Sequence, residues 1–130
     1  LVQQSLIPDF ALGAHTASLG LAFYHQKAFP ARFQQGAFIG QHGSWNRSKL
    51  VGYQVAFVPF SQGQPSGELE PFLTGFIADR AQGNVYGRPV GVTVLQDGTL
   101  LVADDAGNRI WQGRALPWAP GLDSSSGVVP

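Results

Sequence analysis

Residues 36–47 read GAFIGQHGSWNR, and residues 98–109 read GTLLVADDAGNR. Set side by side without a gap, both run from a glycine through an apolar stretch and a glycine-bearing polar turn to Asn-Arg, at Asn46-Arg47 and Asn108-Arg109. Upstream, GLAFYH (20–25) matches GVTVLQ (91–96), and downstream the apolar run around Tyr53 matches the one around Ile110. The chain is therefore an internal repeat. Each copy reads as strand, turn, strand, turn, strand in antiparallel order. The predicted strands are 19–24, 37–41, 51–57, a weaker 71–76, then 90–95, 99–103 and 109–112. Asp97-Gly98 is a hairpin signal between two of them. The first copy carries a longer insertion between its first two strands, which holds Phe29-Pro30. No segment keeps a helical period long enough for a helix.

A three-stranded module of this kind has two faces to cover and cannot cover both alone. Radial stacking into a propeller answers that need, at roughly 40–50 residues per blade and with ~4–8 blades to close the ring. The expected fold is therefore all-β, about two antiparallel modules of a β-propeller. The first blade-like module covers about 17–76, the second about 86–114, and an irregular tail rich in Pro, Ser and Gly covers 115–130. A self-contained sandwich of two sheets is the alternative. Two modules cannot close a ring, so either other blades or further copies of the chain must cover their outer faces, and self-association is expected of the chain alone.

Bulk composition agrees. Of 130 residues 44% are hydrophobic and 12% charged, which is apolar enough for a core and too apolar for disorder. Eight basic and eight acidic residues cancel, and no basic stripe marks a nucleic-acid footprint. No apolar run approaches the ~18 residues of a membrane span. Without cysteine the redox compartment is unreadable, and without methionine the chain is expected to be a piece of a longer protein.

The turns at one end of such modules would line a central pocket, so their polar residues are the candidates. His42 can hydrogen-bond a ligand or move a proton, or it is a turn histidine bonded to backbone. Asn46 and Asn108 recur, as do Arg47 and Arg109, and recurrence points to structure: an asparagine tolerates the left-handed conformation a turn requires. Asp104-Asp105 lacks calcium-loop spacing and reads as a turn cap. His15, His25 and His42 are scattered, which gives no metal-ligand pattern. Arg88 opens the first strand of the second copy, topologically where His15 stands in the first. It is either a carboxylate ligand or an ordinary surface ion-pair partner.

The phrases GAHTASLGLAFY (13–24), AFIGQHGSWNRSK (37–49), GYQVAFVPF (52–60), FLTGF (72–76) and GRPVGV (87–92), followed by DGTLLVADDAGNRIW (97–111), resemble the soluble glucose/sorbosone dehydrogenase family, in particular its L-sorbosone dehydrogenase-like branch. The resemblance covers roughly residues 8–114. It implies the C-terminal part of a six-bladed propeller that holds pyrroloquinoline quinone (PQQ), with calcium, over its central opening. The implied activity is oxidation of a sugar or sugar-derived aldehyde, in a protein exported to the bacterial periplasm or secreted. The cofactor-binding positions it implies are Arg88, His42, Arg47 and His15. Arg88 matches a cofactor-contacting arginine, while Tyr86 stands where the glucose dehydrogenase branch has a second one. His42 or Arg47 would substitute for a cofactor lysine. The catalytic base and calcium ligands are expected in other blades, so the isolated chain is expected to be inactive. A non-catalytic NHL-type scaffold also accommodates DGTLLVADDAGNRIW, but it leaves GAHTASLG and GQHGSWNRS unexplained.

Overall fold

The computed structural model describes residues 2–116 and the backbone of Val128–Val129. Eleven strands and two single-turn 3-10 helices (Val2–Gln4 and Ala31–Phe33) make up its regular structure. In the first sheet β1 (Ser18–Tyr24), β2 (Gly36–Gln41) and β3 (Gln54–Ser61) pair antiparallel in sequence order. β4 (Gln64–Pro65) and β5 (Glu70–Leu73) both pair with β3. A small hairpin, β6 (Ile77–Asp79) with β7 (Asn84–Val85), leads to the second sheet. There β8 (Pro89–Val94), β9 (Leu100–Asp104) and β10 (Arg109–Ala115) again pair in order, with β11 (Val128–Val129) added at the edge. The rest of the tail, expected to be irregular, lies outside the described residues.

The molecule is thus two antiparallel modules of the propeller kind. The third strand differs from expectation. It begins at Gln54 rather than 51, because Gly52 (φ 80°) and Tyr53 (φ 58°) hold left-handed conformations, which no strand continues. It then runs on to Ser61, where Gln62-Gly63 makes a turn that the sequence reading passed over.

Register shows how closely the modules correspond. In the first, Ser18 pairs with Gln41, which pairs with Gln54. In the second, Pro89 pairs with Asp104, which pairs with Arg109. Both modules break register directly after the first of these residues, before Gly20 and before Val92. Strand pairing therefore equates Gln41 with Asp104, one residue away from the ungapped sequence match, which sets Gln41 against Ala103. Side chains alternate faces along a strand, so this single step decides which residues point inward.

The two sheets pack face to face. Gly20 and Gly40 are paired neighbours, and a Cβ on either would stand 2.2 Å from the Val90 carbonyl oxygen. Their lack of side chains lets the backbone of β8 lie directly on β1 and β2. Around this contact Val92, Leu100 and Val102 of the second sheet meet Tyr24, Phe38, Val55 and Phe57 of the first. The 25–35 insertion supplies Phe29 and Phe33, which pack edge-on against Phe72 with centroids 4.9 and 5.0 Å away. At the far end of β1 the Tyr24 hydroxyl donates to the Gly98 carbonyl at 2.8 Å, which pins the Asp97-Gly98 hairpin to the first sheet. Burial raises the Tyr24 phenol above its ordinary value of 10.0, against the lowering pull of the Ala28 and Phe29 amides.

A candidate polar site at one end of the paired sheets

The strand directions gather five chain segments at the end opposite Tyr24: the turn before β1, the turn after β2, the entry to β3, the entry to β8 and the turn after β9. The sequence places a polar group on each.

The first two are laced by backbone. The His42 and Gly43 amides donate to the Ala17 and Thr16 carbonyls, both at 2.9 Å. The next pair meets through Tyr53. Its ring lies against Gly43, where any Cβ would come within 2.5 Å of it, and its buried hydroxyl donates to the Ser44 carbonyl. The Tyr53 hydroxyl oxygen in turn accepts from the Arg88 guanidinium at 3.3 Å, and the guanidinium carbon stands 5.0 Å from the Tyr53 ring centre. Arg88 is therefore seated on an aromatic face in a cation–π contact. Among the described residues no carboxylate forms an ion pair with it.

Asp104 organises the second module's turn. One carboxylate oxygen accepts from the backbone amides of Arg88 (2.8 Å) and Gly107 (2.7 Å), and the other from the Trp111 indole (3.0 Å). Gly87 and Gly107 leave the space, since a Cβ on either would collide with this carboxylate. Burial pushes the Asp104 carboxyl up, but the three hydrogen bonds and the nearby Arg109 charge outweigh it and hold it below its ordinary value. Asp104 is thus a turn cap, as its sequence context indicates, and three donors fill most of its acceptor capacity. Asn46 (φ 52°) and Asn108 (φ 50°) both adopt the left-handed conformation expected of them.

The four sequence-derived candidates divide. Arg88 and His42 share the cluster: His42 Nε2 lies 2.9 Å from Asp105 Oδ1, so the turns of the two modules touch. By strand pairing, His42 and Asp105 each follow equivalent residues of their modules. His15 and Arg47 are exposed at the same end and form no hydrogen bond or ion pair with other described residues. His15 sits in a left-handed turn at φ 64°. Tyr53, Ser44 and Trp111 were missed as site residues. The one local signal for Tyr53 was the glycine before it, and only the fold reveals that Gly43 is its seat.

A cluster of three or more His, Asp or Glu side chains able to hold a metal does not occur among the described residues. The end instead presents an arginine fixed in place with its charge uncompensated, and two acidic side chains already engaged. A guanidinium in this state can receive an anionic group.

Fold and site together define an open propeller module whose polar end carries an arginine without a carboxylate partner among the described residues. The sequence matches the TrAA12-like family over residues 2–112, and the chain belongs to that family. It is 38% identical over 105 residues to an uncharacterized protein of Borreliella burgdorferi, a match that covers 79% of this chain and 27% of that protein. Among solved structures it is similar to the iodide structure of Trichoderma reesei Carbohydrate-Active Enzymes Family AA12, at 28% identity and a TM-score of 0.62, with 76% of this chain and 25% of that one covered. It is also similar to the holo form of the pyranose dehydrogenase PQQ domain from Coprinopsis cinerea, at 28% identity and a TM-score of 0.58, over 75% of this chain and 26% of that one. The chain spans about a quarter of the length of these relatives. It is a module related to quinoprotein oxidoreductase domains.

Proposed function

We propose that the chain supplies two blades of a quinoprotein dehydrogenase and that Arg88 holds a carboxylate of PQQ. The observation that carries this reading is the Arg88 guanidinium itself. It is immobilised over Tyr53 and hydrogen-bonded to the tyrosine hydroxyl, with no carboxylate of the described residues paired to it. An arginine fork suits bidentate carboxylate binding, and PQQ carries three carboxylates. Tyr53 acts as the positioning residue, because it fixes the plane of the fork before a ligand arrives. His42, Arg47 and His15 stand at the same end as further cationic or hydrogen-bonding contacts. The pairing of Asp105 with His42 and the capping role of Asp104 keep those two carboxylates engaged near the anion.

Bound PQQ supplies the acceptor for a hydride from the substrate carbon. The substrate class is a sugar or sugar-derived aldehyde of the sorbosone kind, and the setting is the periplasm or the exterior of a bacterial cell. The substrate class is supported by the wording of residues 37–49 and 87–111 and by the relation to a pyranose dehydrogenase PQQ domain, and the setting by the family resemblance alone. Calcium ligands and the catalytic base belong to other blades, so the chain alone binds without turning over.

Titration of the chain with PQQ, with and without calcium, followed by absorbance and calorimetry, tests this. Saturable binding is expected, weakened at least about tenfold by Arg88→Ala, the equivalent of one 1.4 kcal/mol contact. Arg32→Ala, at the opposite end and paired with Glu70, should leave it unchanged. Binding equally indifferent to both changes removes Arg88 from the site, and no binding at all favours a non-catalytic scaffold.

A further inference from the structure

The Tyr53 ring that seats Arg88 is also a wall of a pocket of about 290 Å³. Its other walls are Gly52 and Gln54, at the entry to β3, and the segment that leaves β5 for the β6–β7 hairpin, Thr74 to Ala78 with Arg80. β5 runs antiparallel to β3 and so ends beside the β3 entry, which puts the pocket at the polar end, between two segments of this chain. Three side chains give it polar atoms. Gln54 donates from Nε2 to Gln41, which leaves its carbonyl oxygen able to accept. The Thr74 hydroxyl has no hydrogen bond to another described residue. Arg80 uses one N–H on the Leu50 carbonyl, at 3.4 Å, and forms no ion pair among the described residues. Asp79, next to it in sequence, is engaged by the Ala81 and Gln82 amides. Tyr53, Phe76 and Ile77 supply apolar surface. The chain's charges cancel overall, yet Arg47, Lys49, Arg80, Arg88 and Arg109 all stand at this end, which therefore attracts anions.

We propose that this pocket receives a sugar acid of hexuronate size, its carboxylate on the Arg80 guanidinium and its ring against Tyr53 and Phe76. A cavity of this volume is at the small end of those that hold ligands, which suits one sugar ring rather than a chain. A pyranose has C–H faces and hydroxyl edges, and the pocket has the same division: aromatic and aliphatic walls, with the Gln54 and Thr74 oxygens at its margin. A neutral sugar leaves Arg80 without a partner, and a bare anion leaves the apolar walls without one. The inference deepens the quinoprotein reading and rests on it for one step, which is to call the bound sugar a substrate. The shared Tyr53 wall puts the pocket beside the Arg88 fork, so that Arg88 and Arg80 serve two different carboxylates, one of the cofactor and one of the sugar.

Calorimetric titration of the purified chain without PQQ, using glucuronate, glucose, acetate and inorganic phosphate, decides it. Glucuronate is expected to bind at least about tenfold tighter than glucose, which lacks the charge, and than acetate or phosphate, which lack the ring. Arg80→Ala should bring glucuronate down to the level of glucose. Thr74→Val should weaken glucuronate and glucose alike, and Arg88→Ala should leave both unchanged. Thr74 and Arg80 are exposed, so circular dichroism melts of their variants should match the wild type. Glucose bound as tightly as glucuronate overturns the proposal. So does acetate or phosphate bound as tightly, which would mean an adventitious ion only, and so does glucuronate binding indifferent to Arg80→Ala. Failure of the quinoprotein reading looks different: PQQ does not bind, while glucuronate still saturates and still depends on Arg80, which keeps the pocket and removes its substrate role. Arg88-dependent PQQ binding without saturation by glucuronate overturns the pocket alone.

Discussion

The two modules share strand order, register and even the site of a register break, yet they are held together by different chemistry. The first is aromatic: Tyr24, Phe29, Phe38, Phe57 and Phe72 form a continuous ring-on-ring cluster. The second contributes aliphatic Val92, Leu100 and Val102, and its end is fastened by the Asp104 carboxylate. At the equivalent position the first has Gln41, whose amide donates to Ser18 and accepts from Gln54. One fold pattern thus tolerates either a neutral or a charged fastening at the same buried point. What differs is the condition under which each lets go.

The largest way to break the comparison is Phe38→Ala. Phe38 is fully buried and touches four other rings, so the cavity and lost contacts should cost about 4 kcal/mol. Urea unfolding measures it. Leu100→Ala, the corresponding deletion in the second sheet, should cost less, about 3 kcal/mol. An equal or reversed order would mean that the aromatic cluster is not the keystone of the pair.

Next is Asp104→Asn, at about 2 kcal/mol, because the new amide nitrogen faces the Trp111 indole donor and leaves it unsatisfied. The pH dependence follows in sign. The folded Asp104 carboxyl is held below its ordinary 3.8, so its contribution is present above that value and is lost as pH falls through the lower folded pKa. Stability measured between neutral pH and this acid window should fall less steeply in Asp104→Asn than in wild type. Because Gln41 has no proton to gain, amide exchange in β2 should accelerate less at acid pH than exchange in β9. Parallel acceleration in both would contradict the division.

Much of this was legible beforehand because repetition and glycine spacing are local properties. The repeat from 36–47 to 98–109, the Asp97-Gly98 hairpin, the left-handed Asn46 and Asn108 and the capping aspartate follow from turn chemistry within a few residues. The one-residue offset between Gln41 and Asp104 was not legible. Matching Asn-Arg to Asn-Arg aligns the turns, whereas the faces are aligned by pairing across strands, which no local phrase encodes. The same reason hid Tyr53. Its role depends on Gly43, ten residues earlier in the chain, and on Arg88 from the other sheet. Arg88 itself was visible because it opens a strand in a chain with only eight basic residues.

The two ends of the sheet-to-sheet joint invite a smaller test. Tyr24→Phe removes the bond to Gly98 and strips the Ala28 amide of its acceptor, for about 1 kcal/mol. Since the folded phenol is raised by burial, its share of stability is intact below pH 10 and is lost as the unfolded phenol ionises above that. Wild type should therefore lose stability at alkaline pH more steeply than Tyr24→Phe.

The smallest effect should come at the other end. His42 and Asp105 also bridge the sheets, at 2.9 Å, but their side chains are 23 and 62% exposed. Water competes for both partners, and a pair of this kind contributes about 0–1 kcal/mol. A double-mutant cycle of His42→Ala and Asp105→Ala should return a coupling energy within that range. The joint is then fixed where Tyr24 is buried and permissive at the end that carries Arg88. A coupling above about 1 kcal/mol would make the polar end a clamp in its own right. The pair would then have to open or shift before an anion could reach the Arg88 fork, and His42→Ala should strengthen PQQ binding rather than weaken it.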